Sequence, residues 1–303
     1  MGVVTLAPRI EELRRSLGDA VRGRIAGPDA HERMTQMVSE PGPRWFGEDS
    51  AIQRVHGDAS MFIGGLRALL LQSLHPLAMA GVAEHSDYRN DPWGRLQRTA
   101  DFLAATTFGS EVTAQRAVDR VRAVHDRVKG TTSDGHAYSA NDPHLLRWVH
   151  VAEVDSFLAA HQKFGSDPLD QHGRDAYVAE TARVARALGV PAPPTSERAL
   201  RDQLRTFRPE LKSTKVARDA ARYLVLTPPL PPAARLGYAA ISTAAVATLP
   251  GWARAQLRLP YLPVADVLIG QPLGELVTRA FRWALTEPEL NADAALTNAL
   301  YSD

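Results

Sequence analysis

The chain contains no cysteine. That excludes disulfides, thiolate zinc sites, cysteine-ligated iron–sulfur clusters and cysteine nucleophiles. An excess of one charge is missing too: 35 basic residues stand against 34 acidic ones, a formal net charge of +1. No dominant phosphate-neutralising face is expected, so nucleic acid is not an expected partner. Long hydrophobic runs are also lacking. The most apolar one, Leu236 to Leu249, is alanine-rich and shorter than the ~20 residues needed to span a bilayer. It reads as a buried helix, with a surface-lying membrane contact as the second option. The first residues, MGVVTLAPRIEELRRSLGDAV, lack the apolar core of a signal peptide. The expected location is the cytoplasm, with no transmembrane segment.

Several catalytic signatures are absent as well. There is no HExxH, no pair of ExxH motifs, no Gly-x-Ser-x-Gly elbow, no phosphate-cradling GxxxxGK[ST] and no strand-borne GxGxxG. A zinc protease, a ferritin-like di-iron centre and a P-loop enzyme therefore have no support.

What is present is helical periodicity almost throughout, without alternating β-branched runs long enough for a sheet. The expected fold is all-α: one multi-helix domain over residues 1–303. Ile10, Leu13, Leu17, Val21 and Ile25 form a first amphipathic stripe. Asp58 reads as the N-cap of a strongly apolar helix through Met61, Leu66, Leu70 and Leu74. Asp91-Pro92 and Asp142-Pro143 are twin start signals, an acidic cap with proline at the first helical position. Ser110 opens the helix between them, which should run to Lys129 and be closed by Gly130. Further helices are expected from about Arg174 to Leu188, Ser196 to Phe207, Ser213 to Leu226, Pro232 to Leu249 and Leu273 to Leu285. Gly64-Gly65 falls inside a helical pattern, where a second helix or a flat cofactor could approach the backbone.

Six of the ten histidines fall between His75 and His150. His75, His85 and Asp87 offer two imidazoles and a carboxylate, a set that suits mononuclear non-haem iron. His125 lies beside Val121, Val124 and Val128 on one helix face. Arg95, Arg98 and Thr99 share a face one helix earlier, since i, i+3 and i+4 positions are neighbours. Two cations near a buried stripe could pair with the carboxylates of a haem, whose iron would need a histidine or another non-thiolate ligand here. His150, in WVHVAEVDSF, shares its face with Leu146, Val154 and Phe157. It reads as a second iron ligand, a substrate-contacting group or a core histidine bonded to a carbonyl.

As a set, HGD (56–58), RALLLQSLHPLAMAGVAEHSDYRNDPWGRLQRT (67–99), RVRAVHDRVKG (120–130), YSANDPHLLRWVHVAEVDSFL (138–158) and the stretch 177–191 resemble the DUF2236 family. That family includes the MpaB-type oxygenases and the latex-clearing rubber oxygenases. The resemblance covers roughly residues 30 to 230, with a helical extension over 231–303. It implies a helical fold holding haem b through one axial histidine, and oxygen-dependent oxidation of an apolar, often isoprenoid, substrate. Arg95, Arg98 and Thr99 match the Arg-x-x-Lys-Thr motif of the rubber oxygenases in spacing, and His125 matches the axial histidine. Arg98 departs from the motif, because an arginine does not give up its proton to bind iron as a lysine can. Glu84 is the nearest counterpart to a distal glutamate base.

The reading implied is a haem-dependent oxygenase working with dioxygen. His125 would be the metal ligand, Arg95, Arg98 and His150 would contact the cofactor, and Arg98, Thr99 and Glu84 would be catalytic. Whether an external electron donor takes part is left open. The alternatives are the non-haem iron enzyme on His75, His85 and Asp87, and a haem- or lipid-binding protein without catalysis.

Overall fold

The computed structural model describes residues 30–285 apart from 88 and 89, together with 11, 12, 14–16, 18, 19, 23 and 27. The stripe from Ile10 to Ile25 lies outside the described residues. Of the described residues 72% are helical, and the one sheet among them is a small hairpin, so the all-α expectation holds.

Helices α1 (Ala30–Ser39), α2 (Ala51–His56), α3 (Met61–Gln72) and α4 (Pro76–His85) lead into α5 (Pro92–Phe108) and α6 (Glu111–His125). Strands β1 (Lys129–Thr131) and β2 (Ala137–Ser139) pair antiparallel, with Gly130 opposite Tyr138. Then come α7 (Pro143–Phe164), α8 (Gln171–Leu188), α9 (Glu197–Phe207), α10 (Lys215–Leu226), α11 (Pro232–Thr248), α12 (Gly251–Leu257) and α13 (Gln271–Leu285).

The local start signals work as read. Asp91 accepts from the Gly94 amide, Ser110 from Thr113 and Asp142 from His144, each satisfying an orphan donor of the first helical turn. Two expectations need correction. Ser60, not Asp58, is the N-cap of α3; the Asp58 carboxylate accepts from the Ser60 amide and from Arg282 of α13. Burial alone would raise this carboxyl, but those hydrogen bonds outweigh it and hold it well below the usual carboxylate range. Helix α6 ends at His125 rather than Lys129. Gly130 is a strand residue lying under the Tyr138 ring, where a Cβ would come within 2.5 Å of the phenol oxygen.

The central pair is α3 on α7. Gly64 permits it: a Cβ there would stand 2.8 Å from Phe157 Cδ1 and 3.1 Å from Phe157 Cα. The close approach at Gly64 is therefore made by a helix. Gly64→Ala should destabilise the fold by about 1–3 kcal/mol through overpacking, more than the up to ~1 kcal/mol that alanine gains in helix propensity. A urea midpoint at or above that of the parent chain would contradict this.

One core cluster joins α3 and α7 to α10, α11, α12 and α13 around Leu70, Leu71, Trp148 and Phe164. A second joins α2, α7, α8 and α9 around Ile52, Val55, Phe157 and Tyr177. The alanine-rich run forms most of α11, with Ile241, Ser242, Ala244 and Ala245 buried. Beyond α12, Val264, Val267, Leu268 and Ile269 expose apolar side chains. No single described helix is long and apolar enough to cross a membrane; α3 and α4 pass together by composition, but are bent by 107°.

Candidate active site

Five helices close around a partly enclosed cavity of about 100 Å³. Its walls are mostly apolar: Ile52 of α2, Phe102 and Leu103 of α5, Leu146, Val149, Val154 and Phe157 of α7, and Val184 and Leu188 of α8. The polar groups that face it are few. They are His56, Thr106, His125, His150, Glu153, Tyr177 and Thr181. An apolar pocket with a handful of convergent polar groups is the usual form of a small-molecule site.

Helix α7 supplies the centre of the arrangement. His150 and Glu153 are three residues apart and so share a face, with Leu146 one turn before and Phe157 one turn after. Burial pushes the His150 imidazole down to about 4 and the Glu153 carboxyl up to about 7. At neutral pH the histidine is therefore uncharged, and the glutamate holds or releases a proton with little free-energy difference.

His56, the last residue of α2, is fixed from both sides. Its Nδ1 lies 2.8 Å from Thr107 Oγ1 and its Nε2 3.2 Å from the Tyr177 hydroxyl. Phe157 and Tyr177 meet its ring edge-on, at 5.4 and 5.8 Å between centroids. Burial, reinforced by His161, drives its imidazole down to about 3. Tyr177 is pushed well above its ordinary value by burial and by the neighbouring Glu153 and Glu180. It stays a phenol.

His125 ends α6 at the cavity wall, half-buried, and burial lowers its imidazole against the opposing pull of Asp126 and Asn141. The valines beside it do not form a buried stripe. Val124 is 46% exposed, and α6 is buried through Ala114 and Val118.

A haem is the group to test against these residues. Two imidazole nitrogens on the cavity wall, His125 Nδ1 and His150 Nε2, are buried without a hydrogen-bond partner. Buried nitrogens normally find partners, and an uncharged imidazole is the form that ligates a metal. The donor set fits.

The other expected site residues lie elsewhere. Arg98 is 69% exposed on its side chain and pairs with Asp91 at 3.3 Å. Thr99 is exposed and donates to the Arg95 carbonyl at 3.0 Å, while Arg95 Nη1 reaches Ser86 Oγ at 3.2 Å. All three stand on α5 before Phe102 and Leu103, outside the cavity lining. Glu84, on α4, accepts the Tyr138 hydroxyl, which also lies 3.1 Å from His85 Nε2. The set His75, His85 and Asp87 is not assembled. His75 precedes α4 and His85 ends it, some ~15 Å apart along the axis at 1.5 Å per residue.

The structure thus adds His56, Glu153 and Tyr177 to the polar groups read from sequence. For Glu153 a signal existed: it follows His150 by three residues and precedes Phe157 by four, both on the packed face.

Residues 53–286 match the family model described as the ER-bound oxygenase mpaB/B'/rubber oxygenase catalytic domain. The chain belongs to this family. The matched region contains His56, His125, His150, Glu153 and Tyr177, and it continues past residue 230 through α11, α12 and α13. Family membership makes the chain an oxygenase-type domain, which supports an oxidoreductase acting with dioxygen on a substrate. No curated protein and no solved structure matches it.

Proposed function

We propose that the protein is a haem b-dependent oxygenase acting on an apolar, isoprenoid- or lipid-like small molecule. The observation that carries this reading is the pair of unpartnered imidazole nitrogens on one apolar cavity wall, His125 Nδ1 and His150 Nε2. When bound, haem supplies an iron centre for activating dioxygen.

The chain's own residues do the rest. His125 would hold the iron, and His150 would contact the group from α7. Arg95 and Arg98, on the first turns of α5 and outside the present cavity lining, would pair with the propionates. Thr99 stands beside them, its hydroxyl donating to the Arg95 carbonyl. Phe102, Leu103, Val149, Val154 and Phe157 exclude water and receive the apolar substrate. Glu153, with its carboxyl near 7, holds the proton that oxygen chemistry consumes, and we assign it that role in place of Glu84, which is engaged by Tyr138. His56 and Tyr177 line the same cavity and stay uncharged at neutral pH. A benzene-sized guest takes a cavity of about 150 Å³, so seating a macrocycle would part α5 from α7 and α8. Helix α5 suits that motion, because only Ala105, Thr106 and Thr107 near its end are buried.

The test is an absorption spectrum after loading the chain with haem. A Soret band at one haem per chain is expected, together with a higher melting temperature, since a ligand at 100 times its Kd stabilises by ~2.7 kcal/mol. His125→Ala should lose the band or shift it. An unchanged spectrum and full occupancy in that variant would remove His125 as the ligand. Oxygen uptake with a reductant across a panel of terpenoids and fatty acids separates an enzyme from a carrier.

A further inference from the structure

A second set of metal-ligand type lies away from the cavity. His75 sits at the N-cap of α4, His144 in the first turn of α7 and Glu210 in the 3₁₀ turn Arg208–Glu210 after α9. One ligand atom from each lies within 4.8 Å of the others. His144 Nε2 is 2.6 Å from Glu210 Oε2, and His75 Nε2 is 3.5 Å from the same oxygen.

A hydrogen bond accounts for His144 with Glu210. It does not account for His75, which is 3% exposed and has no hydrogen-bond partner at either ring nitrogen. A contact of 3.5 Å to a carboxylate is too long to satisfy it. The surroundings hold the three residues in place from segments far apart in sequence. Trp148 lies 6.3 Å from the His75 ring and Phe207 4.8 Å from the His144 ring. The Trp148 indole donates to the Gln72 carbonyl at 3.1 Å, and the Lys212 amide to the Leu74 carbonyl at 2.8 Å.

We propose that His75, His144 and Glu210 bind one divalent transition-metal ion. Two imidazoles and a carboxylate are a ligand set for zinc or ferrous iron, and one ion among them would satisfy His75 Nε2, His144 Nε2 and the shared carboxylate oxygen together. The half-exposed side chains of His144 and Glu210, at 49% and 42%, leave the solvent side of the ion for water. His144 precedes His150 by six residues, ~9 Å along α7, so this site is distinct from the haem site and does not rest on it.

Titrating chelator-treated full-length chain with Co²⁺ tests the proposal. One equivalent should bind with visible d–d absorption and be displaced by Zn²⁺. His144→Ala and Glu210→Gln, both on partly exposed residues, should each weaken Co²⁺ binding by more than about 100-fold, beyond the usual cost of losing an outer-shell partner. Their melting curves in chelator should match the parent. His125→Ala should bind Co²⁺ as the parent does. Failure of the parent chain to bind either ion, or undiminished binding in the His144→Ala/Glu210→Gln double variant, overturns the assignment.

Discussion

Glu153→Gln should lower turnover by about 10²–10⁴-fold, the usual contribution of a positioned acid–base group, while haem binding persists. The same substitution should make the protein more stable at alkaline pH. The native carboxyl titrates near 7 and its ordinary value is 4.5. The folded state therefore binds the extra proton between those values. Its stabilisation is fully present below 4.5 and is lost as the pH rises through 7. A shift of that size corresponds to about 3 kcal/mol, so the glutamine variant should exceed the parent by that order at pH 8 and lose the advantage by pH 4.5. The histidines act in the opposite sense. His56 and His150 titrate at about 3 and about 4 in the folded chain against 6.5, so their contribution is present above 6.5 and is lost as the pH falls through those lower values. Urea midpoints from pH 4 to 9 for parent and variant check both limbs. Equal midpoints at pH 8 would show that the Glu153 carboxyl is not raised in the folded chain.

Arg67→Met should cost about 3–5 kcal/mol, the range for breaking a buried ion pair by removing one partner. Arg67 is 3% exposed on α3. It joins Ser156 at 2.6 Å, the Thr248 carbonyl at 3.1 Å and Asp155 at 2.8 Å. Methionine fills the volume of the stem but abandons the Asp155 carboxylate in a site where its side chain is only 18% exposed. Against a total stability of roughly 5–15 kcal/mol, that loss leaves little margin. Adding Asp155→Leu should recover most of it, because the penalty lies in the orphaned charge rather than in the missing attraction. A single variant within about 1 kcal/mol of the parent would mean that Asp155 finds water or another partner.

The helices were legible because their signals are local. Asp91-Pro92, Asp142-Pro143 and Ser110 each satisfy donors within four residues of themselves, and the 3.6-residue pattern of α7 to α9 needs no distant partner to be seen. The hairpin was not legible, since Val121, Val124 and Val128 keep helical spacing past the true end of α6. Only Tyr138, eight residues beyond Gly130, reveals that the glycine belongs to a strand. The site divides in the same way. His150 and its face could be read from α7 alone. His56 could be quoted in a motif but not placed, because Thr107 and Tyr177 reach it from 51 and 121 positions away. His75 does not meet His85 and Asp87, the partners its place in the string suggests, for a geometric reason. Residues ten apart look close in a string, yet a helix holds them at opposite ends, while His144 and Glu210 arrive from elsewhere.

Helix α7 also sets how the gene can change length. Its 22 residues carry His144, Trp148, His150, Glu153, Asp155, Ser156 and Phe157 on an unbroken helix with 3.6 residues per turn. One residue inserted or deleted in its middle would turn everything downstream by about 100°, carrying Phe157 off Gly64 and Asp155 away from Arg67 in a single step. The turn between β1 and β2, with Asp134, Gly135 and His136 all exposed, bears no such register. Natural insertions among relatives should therefore collect in that turn and spare α7, whatever substrate each one has come to use.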